Sequence, residues 1–176
     1  CLEGVPGVGF ILVKTSTMEK AKGNSHSLSL DLFDQWQAMK KNAQWRFTPP
    51  THVLAAFYQA LKEHEKEGGI NGRFIRYSEN CKIICEGMKE MGFTQLLPKE
   101  LQAPIIITFM QPKNANFKFK EFYNALSNKG FLIYPGKLTV AETFRVGCIG
   151  NLNSKDMYDA LKAINDTIKE LNIKLI

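Results

Sequence analysis

The sequence contains no apolar run approaching the roughly 20 residues of a membrane-spanning helix. That excludes a helical membrane anchor within these residues. Four cysteines in 176 residues are too few for a disulfide framework. Cys81 and Cys85 stand four apart and would share one helix face, but no His or Asp pair lies nearby in sequence to complete a tetrahedral metal site. The expectation is therefore buried free thiols in a reducing cytoplasm, and no metal. The three histidines, His26, His52 and His64, show no zinc-ligand spacing, and no Ser-His-Asp pattern can be read. Like charges never run to five, so the net charge of +6 reads as lysines solvating helix faces. There is no internal repeat and no low-complexity linker.

What is present suffices for a folded core: 44% of the residues are hydrophobic and 11% aromatic. Phe57, Phe109 and Phe122 fall at core spacing rather than interleaving with Lys and Arg. This disfavours a basic module that stacks on nucleic acid, which is kept as a distant alternative.

The chain opens on Cys1-Leu2-Glu3-Gly4-Val5-Pro6-Gly7-Val8-Gly9. Three glycines and a proline there demand a sharp turn or a close approach. A glycine-rich turn at residue 1 gives the expectation that the chain is cut at a functional site, with the residue before Cys1 carrying chemistry. Gly7 and Gly9 are followed by apolar residues rather than by a helix, so they are no dinucleotide fingerprint.

Residues 8–14 read as a strand, 17–22 as a helical turn, and Ser27–Leu30 as an edge strand. Helical spacing runs over Asp31–Gln44, over the stripe Val53, Leu54, Phe57, Ala60 and Leu61, and over 70–92 with Ile75, Ile83, Ile84 and Met88 inward. Gly92 supplies a stop. From about residue 95 the order is β-α-β-β-α: strands at 104–109, 131–134 and 144–149, a helix at 119–126 before Gly130, and a last helix capped by Ser154. This is a small α+β domain with helices against one sheet face. Residues 1–75 read as the remnant of a larger domain and 76–176 as the small domain.

Two segments carry candidate site residues. In Trp45-Arg46-Phe47-Thr48-Pro49-Pro50-Thr51, hydroxyls stand beside a helix start, where free N–H groups and the dipole favour an anion. A plain helix cap is the competing reading. In Tyr134-Pro135-Gly136-Lys137-Leu138-Thr139 with Thr143-Phe144-Arg145-Val146-Gly147, an arginine is set in a short apolar strand. That position is costly without an anionic partner. Its planar fork suits a carboxylate or phosphonate, and a salt bridge within the chain is the alternative.

These segments, with Cys1-Leu2-Glu3-Gly4-Val5-Pro6-Gly7, Arg73-Phe74-Ile75-Arg76-Tyr77 and Phe131–Lys137, resemble in this order the C-terminal half of a class V, fold-type I aminotransferase. The likeness is greatest to the branch acting on 2-aminoethylphosphonate and pyruvate. It implies an α/β chain made of a remnant of the large pyridoxal 5'-phosphate domain plus the small C-terminal α+β domain. It implies a cytoplasmic homodimer acting on those two small molecules, with no nucleic acid or membrane partner. The lysine that carries the cofactor would immediately precede Cys1, so no catalytic residue is assigned within the chain, and the 176 residues alone are expected to be inactive. Lys14 and Lys137 have no desolvated setting to replace it. Thr48 matches the position that reaches the cofactor phosphate of the other subunit, and Arg145 the one that holds the substrate's acidic group. The alternative within the family is an alanine–glyoxylate or serine–pyruvate enzyme.

Overall fold

The computed structural model describes residues 1–137 and 141–175. Leu138 and Thr139, named above, lie outside the described residues. The chain divides into two compact units, Leu2–Lys62 and Cys1 with Glu63–Ile176. The division falls ahead of the expected 75/76 boundary, which lies within a continuous 22-residue helix, Gly69–Glu90.

In the first unit, α1 spans Thr15–Glu19 and α2 Leu32–Asn42. Asp31 opens α2 by accepting a hydrogen bond from the Asp34 amide at 3.0 Å, and Lys40 and Lys41 face the negative end of its dipole. The chain leaves through Ala43 in the left-handed region. Helix α3, Thr51–Lys66, starts behind the Pro49-Pro50 pair. The opening loop does approach it closely. Gly7 has φ +132°, and a Cβ there would stand 2.9 Å from Val53.

Two expected strands of this unit are absent. Residues 8–14 pair with no strand among the described residues, and Leu12 is 91% exposed. A strand is a pairing relation, and an apolar run without a neighbour does not form one. Phe10 instead stacks on Phe57, with ring centroids 6.1 Å apart. Ser27–Leu30 is a turn, because the Ser25 and Ser27 hydroxyls bond to the local backbone, Ser27 Oγ accepting from the Leu30 amide at 3.2 Å.

The second unit holds α4 (Gly69–Glu90), β1 (Ile106–Met110), α5 (Phe119–Asn128), β2 (Tyr134–Pro135), β3 (Thr143–Gly147) and α6 (Ser154–Glu170). From β1 on this is the expected β-α-β-β-α order, except that the strand expected at 131–134 is reduced to Tyr134–Pro135, with 131–133 outside any strand. The sheet runs β1-β3-β2, antiparallel throughout. Ile107 faces Val146 and Phe109 faces Phe144 across the ladder, so these four share one face. That face is covered by Ile84 and Met88 of α4, Phe122 and Leu126 of α5, and Met157 and Ile164 of α6, all buried.

Two helix expectations are corrected here. Ile75 is 68% exposed, because the buried face of α4 runs through Arg73, Tyr77, Asn80, Cys81, Ile84 and Met88. A residue two places from that row points to the opposite side of a helix. Asn153 rather than Ser154 caps α6. Its side chain accepts from the Lys155 amide at 2.9 Å, while Asp156 reaches back to the Asn153 amide at 2.8 Å, a reciprocal capping box.

Candidate functional site

Thr48 and Arg145 fall in different compact units, and each is described within its own.

In Leu2–Lys62, the segment before α3 is held by Arg46. Its Nη1 donates to the Leu28 carbonyl at 3.0 Å, its amide donates to Gln35 Oε1 at 3.3 Å, and Nη2 lies 3.6 Å from Asp34 Oδ2. This fixes the backbone at Arg46, and the prolines fix it at 49 and 50. Thr48 lies between, exposed, with no hydrogen bond to its hydroxyl among the described residues. It does not cap α3: the first amide bond at the helix start runs from Thr51 to the Pro49 carbonyl. The hydroxyl is thus held at a helix start and is available to accept from, or donate to, a ligand.

In the other unit, Arg145 is the central residue of β3, opposite Thr108 of β1 and Tyr134 of β2. Strand alternation sends Phe144 and Val146 into the core and Arg145 to the opposite face, where it is half-buried. Its Nε donates to the Pro135 carbonyl at 3.1 Å. Among the described residues no carboxylate pairs with it, so the alternative of an internal salt bridge finds no partner. Anchored at Nε, the guanidinium keeps its two Nη groups for an external acceptor, the geometry of a fork held at its base. A concavity of about 340 Å³ lies beside β2, lined by Phe119, Lys120, Tyr123, Leu132 and Pro135, and Arg145 is not among its described lining residues. Gly136 is required here: a Cβ on it would meet Thr143 Oγ1 at 1.9 Å and the Thr143 carbonyl oxygen at 2.7 Å. Its amide donates to that carbonyl at 2.8 Å and closes β2 onto β3.

The cysteines are all free. Cys81 and Cys85 Sγ stand 3.8 Å apart. The Cys81 thiol is pushed up to about 11, first by its hydrogen bond with Cys148, and the Cys85 thiol is pushed up first by Cys81 and then by burial. Neutral thiols in such a setting are weak nucleophiles.

Residue typing did not identify one cluster. Glu67, just past α3, receives Arg73 Nε at 2.6 Å and Arg76 Nε at 2.7 Å. Arg76, then Arg73, hold its carboxyl down to about 2 against the opposing effect of burial. Arg76 Nη1 donates to the carbonyls of Gly150 and Leu152, Asn80 Nδ2 donates to Cys148 and Leu152, and Tyr77 Oη accepts from the Gly150 amide. The signal that was available is two arginines three apart on a helix whose neighbours are apolar. Their acid lies outside that helix.

No family model matches the chain. It is 50% identical over 173 residues to the 2-aminoethylphosphonate–pyruvate transaminase of Pseudomonas putida, covering 98% of this chain and 47% of that protein. It is 51% identical over 175 residues to the same-named protein of Cupriavidus necator, covering 99% of this chain and 46% of that one. The chain thus spans about half the length of the curated relatives it matches. Among solved structures, pyridoxamine–pyruvate aminotransferase from Mesorhizobium loti superimposes with a TM-score of 0.78 at 19% identity, over 93% of this chain and 43% of that one. The chain has the fold of the fold-type I pyridoxal-phosphate aminotransferases, and nearly all of its sequence is similar to half of a 2-aminoethylphosphonate–pyruvate transaminase.

Proposed function

We propose that the chain is the C-terminal half of an enzyme that moves the amino group of 2-aminoethylphosphonate to pyruvate, giving phosphonoacetaldehyde and L-alanine. The observation that carries this is the 50% identity to transaminases of that name over 98% of the chain. On this reading the Leu2–Lys62 unit is a remnant of the large domain, and the body from Glu63 on contains the small one.

The residues present fit the expected cofactor at one point. Thr48 is an exposed hydroxyl, without an internal bond among the described residues, at a proline-opened helix start, which suits a phosphate oxygen. It would hold the phosphate of the cofactor bound to the other subunit of a cytoplasmic homodimer. Pyridoxal phosphate, when bound, supplies the electron sink that allows a proton to leave the carbon next to the amine. The rest is the chain's own work. Arg145 grips the phosphonate with its two Nη groups, while Pro135 steadies Nε. That fixes the distance from the acidic group to the amine, and so which carbon is presented to the base. The base itself is the lysine expected before Cys1, so these 176 residues alone are inactive.

The test is L-alanine formation from 2-aminoethylphosphonate and pyruvate by the chain extended upstream to the relatives' length, with the 176-residue chain alongside. Alanine from the extended protein alone is the expected result. Turnover of alanine or serine with glyoxylate in its place would leave the family standing and remove the substrate.

A further inference from the structure

The two arginines on Glu67 serve different ends. Arg76 spends its Nη1 on the Gly150 and Leu152 carbonyls, within the same body. Arg73 is only 5% exposed, and its Nη1 donates to the carbonyl of Cys1 at 2.6 Å, 72 residues away in the chain. Cys1 accordingly clusters with Glu63–Ile176, although Leu2–Lys62 forms the other unit. The geometry is stiff at every joint. Glu67 holds Nε, the guanidinium is planar, and the face of the Tyr77 ring lies 5.8 Å from its central carbon. A donor fixed in this way sets where the Cys1 peptide stands relative to α4. Consecutive Cα atoms are ~3.8 Å apart, so fixing that peptide also fixes the root of any side chain immediately upstream.

We infer that Arg73 is a positioning residue for the residue that precedes Cys1. Under the function proposed above, on which this rests, that residue is the lysine that carries the cofactor. Arg73 is assigned a positional role and no chemical one. It acts through the backbone, by holding the lysine's root against the body that also contains Arg145. A displacement of about 1 Å at such a root is worth on the order of a hundredfold in rate.

The test uses the chain extended upstream to the relatives' length, with Arg73→Gln, Arg73→Lys and, as the control that shares Glu67 and binds the Gly150 and Leu152 carbonyls, Arg76→Gln. Three quantities are read: amide hydrogen exchange across the Cys1 junction in the cofactor-free protein, the pH midpoint of the visible absorbance of added pyridoxal phosphate, and kcat against KM. The inference expects R73Q to speed exchange at the junction, move the absorbance midpoint and lower kcat by about tenfold or more, with little change in KM. R73K recovers part of each. R76Q leaves the junction and the midpoint as in the parent, even where it lowers thermal stability as much as R73Q does. Unchanged junction exchange in R73Q overturns the anchor. A loosened junction with parental midpoint and kcat overturns the positioning role while sparing the proposed function. A parent protein that binds no pyridoxal phosphate removes the proposed function and this role with it, and its spectrum alone tells that case apart.

Discussion

Phe144 is the test of how the second unit is built. It is fully buried in β3, beside Arg145, and its ring lies 5.6 Å from Phe93, 5.8 Å from Phe109 and Phe122, 6.1 Å from Phe117 and 6.4 Å from Phe119, centroid to centroid. Phe144→Ala deletes the centre of this cluster. The transfer loss and the residual cavity together cost about 4 kcal/mol for a buried Phe→Ala change, the high side being favoured because rings on every side cannot collapse inward. With a urea dependence of about 2 kcal/mol/M, the unfolding midpoint should fall by about 2 M. Phe144→Leu keeps most of the volume and should cost about 1.5 kcal/mol. The assay is urea unfolding followed by far-ultraviolet circular dichroism. A midpoint shift for F144A no larger than that of F144L would refute the reasoning, since the ring would then not be the keystone the centroid distances make it.

Other outcomes follow from the same geometry. Glu67→Gln leaves Arg73 and Arg76 without their shared carboxylate and should destabilise by about 3 kcal/mol at pH 7, measured by urea unfolding. Because folding lowers the Glu67 pKa from 4.5 to about 2, the contribution is complete above 4.5 and is lost as pH falls through that window. The gap between parent and E67Q should therefore narrow towards pH 2, and a gap that is flat with pH would contradict the assignment. Gly136→Ala places a Cβ 1.9 Å from Thr143 Oγ1 and 2.7 Å from the Thr143 carbonyl oxygen, so β2 must part from β3. It should cost about 2 kcal/mol by thermal unfolding, and unchanged stability would show that the turn yields without strain.

The helices were legible because period 3.6 survives in Val53, Leu54, Phe57 and Ala60, though Leu61 of that stripe is exposed, and again in Met157 and Ile164. The sheet of the second unit was legible because its strands alternate between Gly- and Pro-marked turns. Phe10–Val13 misled because local hydrophobicity cannot show whether a strand has a neighbour. Ser27–Leu30 misled because its serines compete for the same amides as a ladder would. Ile75 misled because the buried row of α4 includes Arg73 and Asn80, polar residues that an apolar count passes over. Arg145 stood out in sequence as a cation in an apolar strand, but that it pairs with no carboxylate among the described residues needed coordinates. The Glu67 cluster needed them entirely, since it closes contacts across the α3–α4 break and from α4 to Cys1.

The central claim is that Arg145 holds the phosphonate, and steady-state kinetics of Arg145→Gln in the extended protein test it most directly. Losing two charge-assisted hydrogen bonds is worth about 3–4 kcal/mol, so kcat/KM for 2-aminoethylphosphonate should fall by about 10²–10³. The loss should fall mainly on this donor, with thermal stability little changed, because among the described residues Arg145 bonds only to the Pro135 carbonyl. A kcat/KM within threefold of the parent's would contradict the account.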